Sequence, residues 1–329
     1  MQRLVGLLAT AGVALMLGVI VSSAYLRLSQ AGFSCSDWPA CYGKIQMPVA
    51  TSSGQIARFI HRIAASAVGI VLVAALLICV TQRPLLARQC AIVGAALAVA
   101  LGLAALGSRS AADAVPSVAT ILANLGGGFT LLALTWWLRL STLPRDPLAE
   151  RSRPWLRFAA ALALALAIGE IALGGLTSSK FAALACPSLS SCGEGFPARA
   201  LLDAINPFAE RVIRPDGAMW RPPELVALHW AHRLGALLLA MAAAAVALPL
   251  LRTRATARLG AAIGALLIAQ FAVGAATVAT TTPLVPAVAH NFLAALLLIV
   301  LISANRALYS RPQEGRPGET LARSARSSR

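Results

Sequence analysis

The sequence predicts an all-α polytopic membrane protein, with eight transmembrane helices arranged as two pseudo-symmetric four-helix bundles in a parallel 4+4 repeat. Three observations predict it. Hydrophobic residues make up 58% of the 329-residue chain and charged residues 12%, whereas soluble domains carry roughly 25% charged residues. The apolar residues fall in blocks close to the roughly 20 that a helix needs to cross a bilayer. The second half then repeats landmarks of the first in the same order. A disordered chain lacks this apolar content, and the alternating pattern of a membrane barrel is not visible. The net charge of +16 belongs to basic loops. Nucleic acid is not an expected partner, because the chain has no basic soluble module with base-reading or stacking residues.

The first apolar segment, Leu4–Ala24, follows a basic start as a signal peptide would. Its apolar run is long for a signal sequence and no small-residue cleavage site clearly follows, so it counts as the first span. The others are Phe59–Val80, Cys90–Leu106, Val115–Trp137, Trp155–Leu176, Leu225–Leu250, Leu259–Thr280 and Leu284–Ile302. Eight spans place both termini on one side. That side, from Arg3 through the segments around Arg88, Arg153 and Arg254 to the C-terminal tail, holds 17 Lys and Arg residues. The opposite loops hold 8, and Arg58, Arg62 and Arg233 stand at helix starts. The basic side is cytoplasmic by the positive-inside rule, so loops 27–57 and 177–223 face outward. The segment 306–329 is rich in Arg and Ser and is expected to be a disordered cytoplasmic tail.

The repeat divides the chain into residues 1–142 and 143–305. The first segment runs into SSAYLRLSQAGFSCSDWPAC and the fifth into LTSSKFAALACPSLSSC. Each carries a C-x5-C pair, Cys35/Cys41 and Cys186/Cys192, with Pro39 and Pro187 favouring a turn between them. Disulfides persist outside the cytosol, so one is expected in each outward loop. Either they brace the loops, or one exchanges electrons near a redox centre. Neither loop has a histidine to complete a zinc site. Cys79 and Cys90 read as free thiols beside the first inner loop.

The chain has four histidines, His61, His229, His232 and His290, all toward the outward ends of spans. Ionisable residues in membrane spans are functional candidates by default. His232 and His290 fall at similar depth in two inward-running helices, which suits axial ligation of a heme iron. The alternative is a histidine hydrogen-bonded between helices. In the first half His61 matches His232, as each opens a His-Arg pair. Aligning ANLGGGFTLLALTWW with AHNFLAALLLI puts Asn124 where the second half has His290. Asparagine is a poor iron ligand, so the first half holds a heme through one axial ligand or holds none. The run Gly126-Gly127-Gly128 leaves room for a flat ligand or for close helix packing. Glu170 is an intramembrane carboxylate expected to pack against a polar partner; for a catalytic role it lies deep and in the second half. Asp37 reads as a turn-capping residue or a nearby acid. Trp38, Trp136, Trp137 and Trp230 are expected to anchor at the membrane interfaces.

In order and spacing, YLRLSQAGFSCSDWPACYG, FIHR, LGGGFTLLALTWW, FAALACPSLSSC, ALHWAHRLGAL and VAHNFLAAL resemble the heme A synthase family, over nearly the whole chain to about residue 305. The resemblance implies an oxidoreductase that converts the C8 methyl of heme O to a formyl group, giving heme A for cytochrome oxidase assembly. It implies heme b as cofactor between His232 and His290, and heme O as substrate in the N-terminal half. Of that half's two ligand histidines only His61 is present. The family's Glu, three residues before it, is Arg58 here, and His229 holds the equivalent place in the second half. The catalytic candidates are therefore His61, Arg58 and Asn124. An arginine stays protonated and cannot act as a base, but it can hold a heme propionate. The alternative function is a non-catalytic heme-b-binding relative acting in heme handling or oxidase assembly. Expected partners are membrane lipid, the heme O-forming enzyme, a quinol or other electron partner, and a second copy of the chain. The expected location is a bacterial inner (plasma) membrane, with both termini cytoplasmic and the Cys loops periplasmic.

Overall fold

The computed structural model describes residues 2–29, 52–82, 86–110, 116–144, 153–186, 188, 192, 197–209, 222–280 and 283–309. Among them are eight long helices: α1 (Gln2–Leu28), α2 (Ser52–Thr81), α3 (Ala87–Ser110), α4 (Val118–Ser141), α5 (Pro154–Ser179), α7 (Pro223–Leu251), α8 (Ala257–Ala279) and α9 (Leu284–Tyr309). A short helix, α6 (Leu201–Ile205), lies between α5 and α7. The eight long helices are long and apolar enough to cross a membrane, and the chain is a multi-pass membrane protein. Several starts are encoded locally. Ser117 caps α4 by accepting from the Thr120 N–H at 3.2 Å, which satisfies a donor that has no partner within the helix. Pro154 and Pro223 open α5 and α7, where the fixed φ of proline suits the first turn.

The first four and the last four long helices pack in the same order. Helix α1 packs on α2 and α4, and α3 packs on the same two. Helix α5 packs on α7 and α9, and α8 packs on those two. The groups meet where α9 lies against α1 and α4, and where α5 lies against α4. One apolar core fills the first group around Met16, Leu72 and Leu132, and reaches α9 at Leu298. A second fills the other group around Ala163, Val246, Ile263 and Leu301. Lipid is as apolar as leucine, so contact between membrane helices depends on close fit and polar ties. Gly260 gives such a fit, since a Cβ there would stand 2.8 Å from the Ala247 carbonyl oxygen. Polar ties add to the fit: Trp136 Nε1 donates to Ser303 Oγ at 2.9 Å, between the two groups, and Asn305 donates to the Ala160 carbonyl at 2.9 Å, within the second. Large apolar side chains such as Ile70, Leu101, Ile268 and Val285 point outward. A water-soluble protein rarely exposes so many; here they form the surface that lipid covers.

The helices outrun the apolar blocks that announce them. Helix α2 begins at Ser52 rather than Phe59, because hydropathy marks only the part suited to hydrocarbon. The last helix continues to Tyr309, four residues into the segment expected as tail. Arg306 fixes it there by donating to the Leu143 and Pro144 carbonyls at 2.9 Å each, and Tyr309 by donating to the Arg157 carbonyl. Residues 310–329 lie outside the described residues.

Candidate functional site

Two groups of polar side chains lie at the end of the bundle where α1 and α5 finish and α2 and α7 begin. The first is built on α7 and α9. His232 stands nine residues after Pro223, and His290 six after Leu284. A rise of 1.5 Å per residue puts them about 13 Å and about 9 Å from their helix starts. Their ring centroids are 6.3 Å apart and their planes are inclined by 79°. Metal–imidazole bonds run about 2.0–2.1 Å, so one iron between two rings needs ring centres roughly 6 Å apart. The spacing fits that requirement. Glycines border both rings: a Cβ at Gly174 of α5 would lie 3.2 Å from His232 Cε1, and one at Gly274 of α8 would lie 3.3 Å from His290 Cε1. Among the described residues no three His, Cys, Asp or Glu side chains gather as a metal site. Two imidazoles alone suit a metal that brings its own equatorial ligands, as heme does.

Glu170 of α5 faces this pair. Its Oε2 lies 2.8 Å from His232 Nδ1, with the two side chains 10% and 21% exposed. From sequence this carboxylate is too deep and in the wrong half for a catalytic role. The structure places it nine residues before the end of α5, and His232 nine after the start of antiparallel α7, so both reach one level. The polar partner expected for it is therefore His232. His229 is buried one turn before His232.

The loop after α5 lies on the same stretch of α7. Cys186 and Cys192 form a disulfide. Trp230 Nε1 donates to the Cys192 carbonyl at 3.0 Å, and Arg233 donates to the Ser188 carbonyl at 3.0 Å. Lys180 is buried and donates to the Asp203 and Ala204 carbonyls at 3.2 and 2.7 Å, closing the end of α6. Burial pushes its ammonium pKa down, against the pull of Asp203 and Glu224. Cys35, Cys41, Asp37 and Trp38 lie outside the described residues. Cys79 and Cys90 are free thiols. Three other tryptophans expected as interface anchors make tertiary contacts: Trp136 and Trp230 as above, and Trp137 beneath the Arg88 guanidinium at 5.8 Å.

The second group surrounds a cavity of about 800 Å³, a volume within the roughly 300–1,000 Å³ of small-molecule sites. His61, Arg62 and Asn124 line it from the first half, with Arg27 at its wall. Ser178 and Asn291 complete the wall from the second half. His61 Nδ1 lies 3.4 Å from Ser22 Oγ. Arg58, one turn before His61, is not among the lining residues. The triple glycine divides its two expected uses. Gly127 meets the Leu103 side chain, whereas Gly126 and Gly128 face open space and Gly128 lines the cavity.

Sequence reasoning missed two further residues. Arg27 donates to Asn291 Oδ1 at 3.1 Å and to Ser178 Oγ, so a cation on the cavity wall is tied to the residue that follows His290. Phe181 lines the cavity in the left-handed region, at φ 61°. No sequence signal marks a bulky residue for that conformation.

The family model described as "Cytochrome oxidase assembly protein" (COX15-CtaA) matches residues 49–302. A curated protein of Shewanella oneidensis named Heme A synthase is 32% identical over 311 residues, covering 89% of this chain and 93% of that protein.

Proposed function

This chain belongs to the cytochrome oxidase assembly protein family, and from that membership we propose that it is a heme A synthase, an oxidoreductase that converts the C8 methyl of heme O to a formyl group. The likeness to a named heme A synthase along nearly its full length supports the activity. The observation that carries the reading at the site is the facing of His232 and His290 at 6.3 Å, beside a separate cavity that holds His61.

In this reading His232 and His290 hold heme b, which supplies reversible one-electron transfer when bound. Heme O is the substrate of the cavity. His61 offers it an imidazole, Ser22 orients that ring, and Arg27 and Arg62 offer cations to its propionates. Asn124 faces the substrate without ligating it. Arg58 stands outside the cavity lining, one turn before His61. The matching helix order of the two groups supports a parallel 4+4 repeat of residues 1–142 and 143–305, with the tail from 306. The asymmetry of basic residues supports cytoplasmic termini and periplasmic Cys loops in a bacterial inner membrane. Converting a methyl to a formyl group with oxygen taken from water releases electrons and protons, so an electron acceptor, the oxidised form of a quinol-type or other electron partner, belongs to the proposal. The heme O-forming enzyme and a second copy of the chain are the remaining proposed partners.

The test is expression in membranes that supply heme O, in a host lacking its own synthase, followed by heme extraction and chromatography. Heme A or its hydroxylated intermediate is expected. Heme B alone, with heme O demonstrably available, would overturn the synthase reading and leave a heme-b-binding relative.

A further inference from the structure

The buried carboxylate beside His232 is a feature that the proposed activity does not itself require. A charged group inside a membrane helix is expensive unless a partner compensates it. Glu170 Oε2 has a charge partner at 2.8 Å in His232 Nδ1, and among the described residues neither that Nδ1 nor Oε1 has any hydrogen bond of regular geometry. The niche is shaped for this contact. A Cβ at Gly235 of α7 would collide with Oε1, and at Gly174, one turn after Glu170, a Cβ would crowd the Cε1 edge of the His232 ring at 3.2 Å. The corresponding histidine of the first half is placed differently. His61 Nδ1 faces the Ser22 hydroxyl of α1, and one turn before Ser22 stands Gly18, with open space beside it. One histidine is backed by a carboxylate and its counterpart by a hydroxyl.

We propose that Glu170 is a positioning residue for His232. Its carboxylate accepts a hydrogen bond from Nδ1–H, leaves Nε2 as the ligating nitrogen, and lowers the reduction potential of the heme held in the second half. A metal-bound histidine whose other nitrogen donates to a carboxylate is fixed in orientation and is a stronger donor, and a stronger donor favours the ferric state. The two heme positions are thereby made electronically unequal by a residue in the second half alone. The inference rests on the assignment of His232 and His290 as heme ligands.

The test is a redox titration of the purified full-length protein with its bound heme, read by visible absorption, together with the EPR spectrum of the ferric state. Glu170→Gln is nearly isosteric and still accepts a hydrogen bond, but it is uncharged; Glu170→Asp keeps the charge. The expected result is unchanged heme content in Glu170→Gln, a midpoint potential shifted upward and an altered ferric EPR signal, with Glu170→Asp closer to wild type. Identical potentials and EPR signals in wild type and Glu170→Gln would overturn the proposal and leave the ligand assignment standing. If Glu170→Gln loses its heme, Glu170→Asp decides: retained heme at a near-wild-type potential supports the proposal, and equal loss overturns it. A wild-type heme without a bis-imidazole spectrum would remove the ligand assignment and this inference with it.

Discussion

Single side chains decide whether each site can hold its ligand. His232 and His290 stand at a spacing that one iron can bridge, so neither ring can replace the other. His232→Ala and His290→Ala are each expected to abolish the low-spin bis-imidazole absorption of the purified protein. An unchanged spectrum in both variants would remove these residues from the heme site. Phe181 makes a different prediction. Its left-handed backbone, at φ 61°, costs a residue with a Cβ about 1–2 kcal/mol, yet its side chain lines the cavity and packs near Ala24, Leu28 and Ala287. Phe181→Gly should relieve about 1 kcal/mol of backbone strain while weakening heme O uptake severalfold, because aromatic contacts are worth roughly 0.5–1.5 kcal/mol. A binding titration with heme O checks this; unchanged affinity would mean that the ring does not touch the substrate.

Helices of this protein fit through small residues at a few close approaches. Gly260 shows how tight one is, since an added Cβ would meet the Ala247 carbonyl oxygen at 2.8 Å and the Leu251 nitrogen at 3.0 Å. Both atoms are backbone, so α7 and α8 would have to move apart. Gly260→Ala is expected to destabilise by about 1–3 kcal/mol, the usual cost of overpacking. Gly264, on the same helix, has open space around it, and Gly264→Ala should be neutral or gain up to about 1 kcal/mol from helix propensity. Thermal unfolding in detergent compares the two; equal melting temperatures would contradict the close approach. The eight spans were legible at this scale because hydrophobic length is a property of a continuous stretch of chain. Helix α6 was not, because five residues carry no periodic signal. The extension of α9 to Tyr309 was hidden for another reason. It depends on Arg306 and Tyr309 reaching carbonyls from distant parts of the chain.

Across the whole molecule, the cavity and the histidine pair share a wall. Arg27 joins them through Asn291, 264 residues away in sequence. The pairing of Glu170 with His232 likewise becomes visible only once α5 and α7 are packed side by side. The sequence could rank these residues as unusual for a membrane span, but not say which of them meet. The sequence leads one to expect unequal halves, because it matches His61 with His232 and sets Asn124 where the second half has His290. The structure separates the two departures: Asn124 lines the cavity and Arg58 does not. Restoring ligation should therefore need one change. Asn124→His is expected to place a second imidazole against heme O, converting its spectrum from five-coordinate high-spin to six-coordinate low-spin, and Arg58→Glu alone should leave coordination unaltered. Any effect of Arg58→Glu should appear in heme A yield rather than in the spectrum, because a carboxylate outside the cavity wall cannot ligate the iron. Absorption spectra of the purified variants loaded with heme O separate these outcomes. A high-spin spectrum in Asn124→His would show that position 124 does not face His61 across the substrate, and the correspondence between the two halves would fail at this residue.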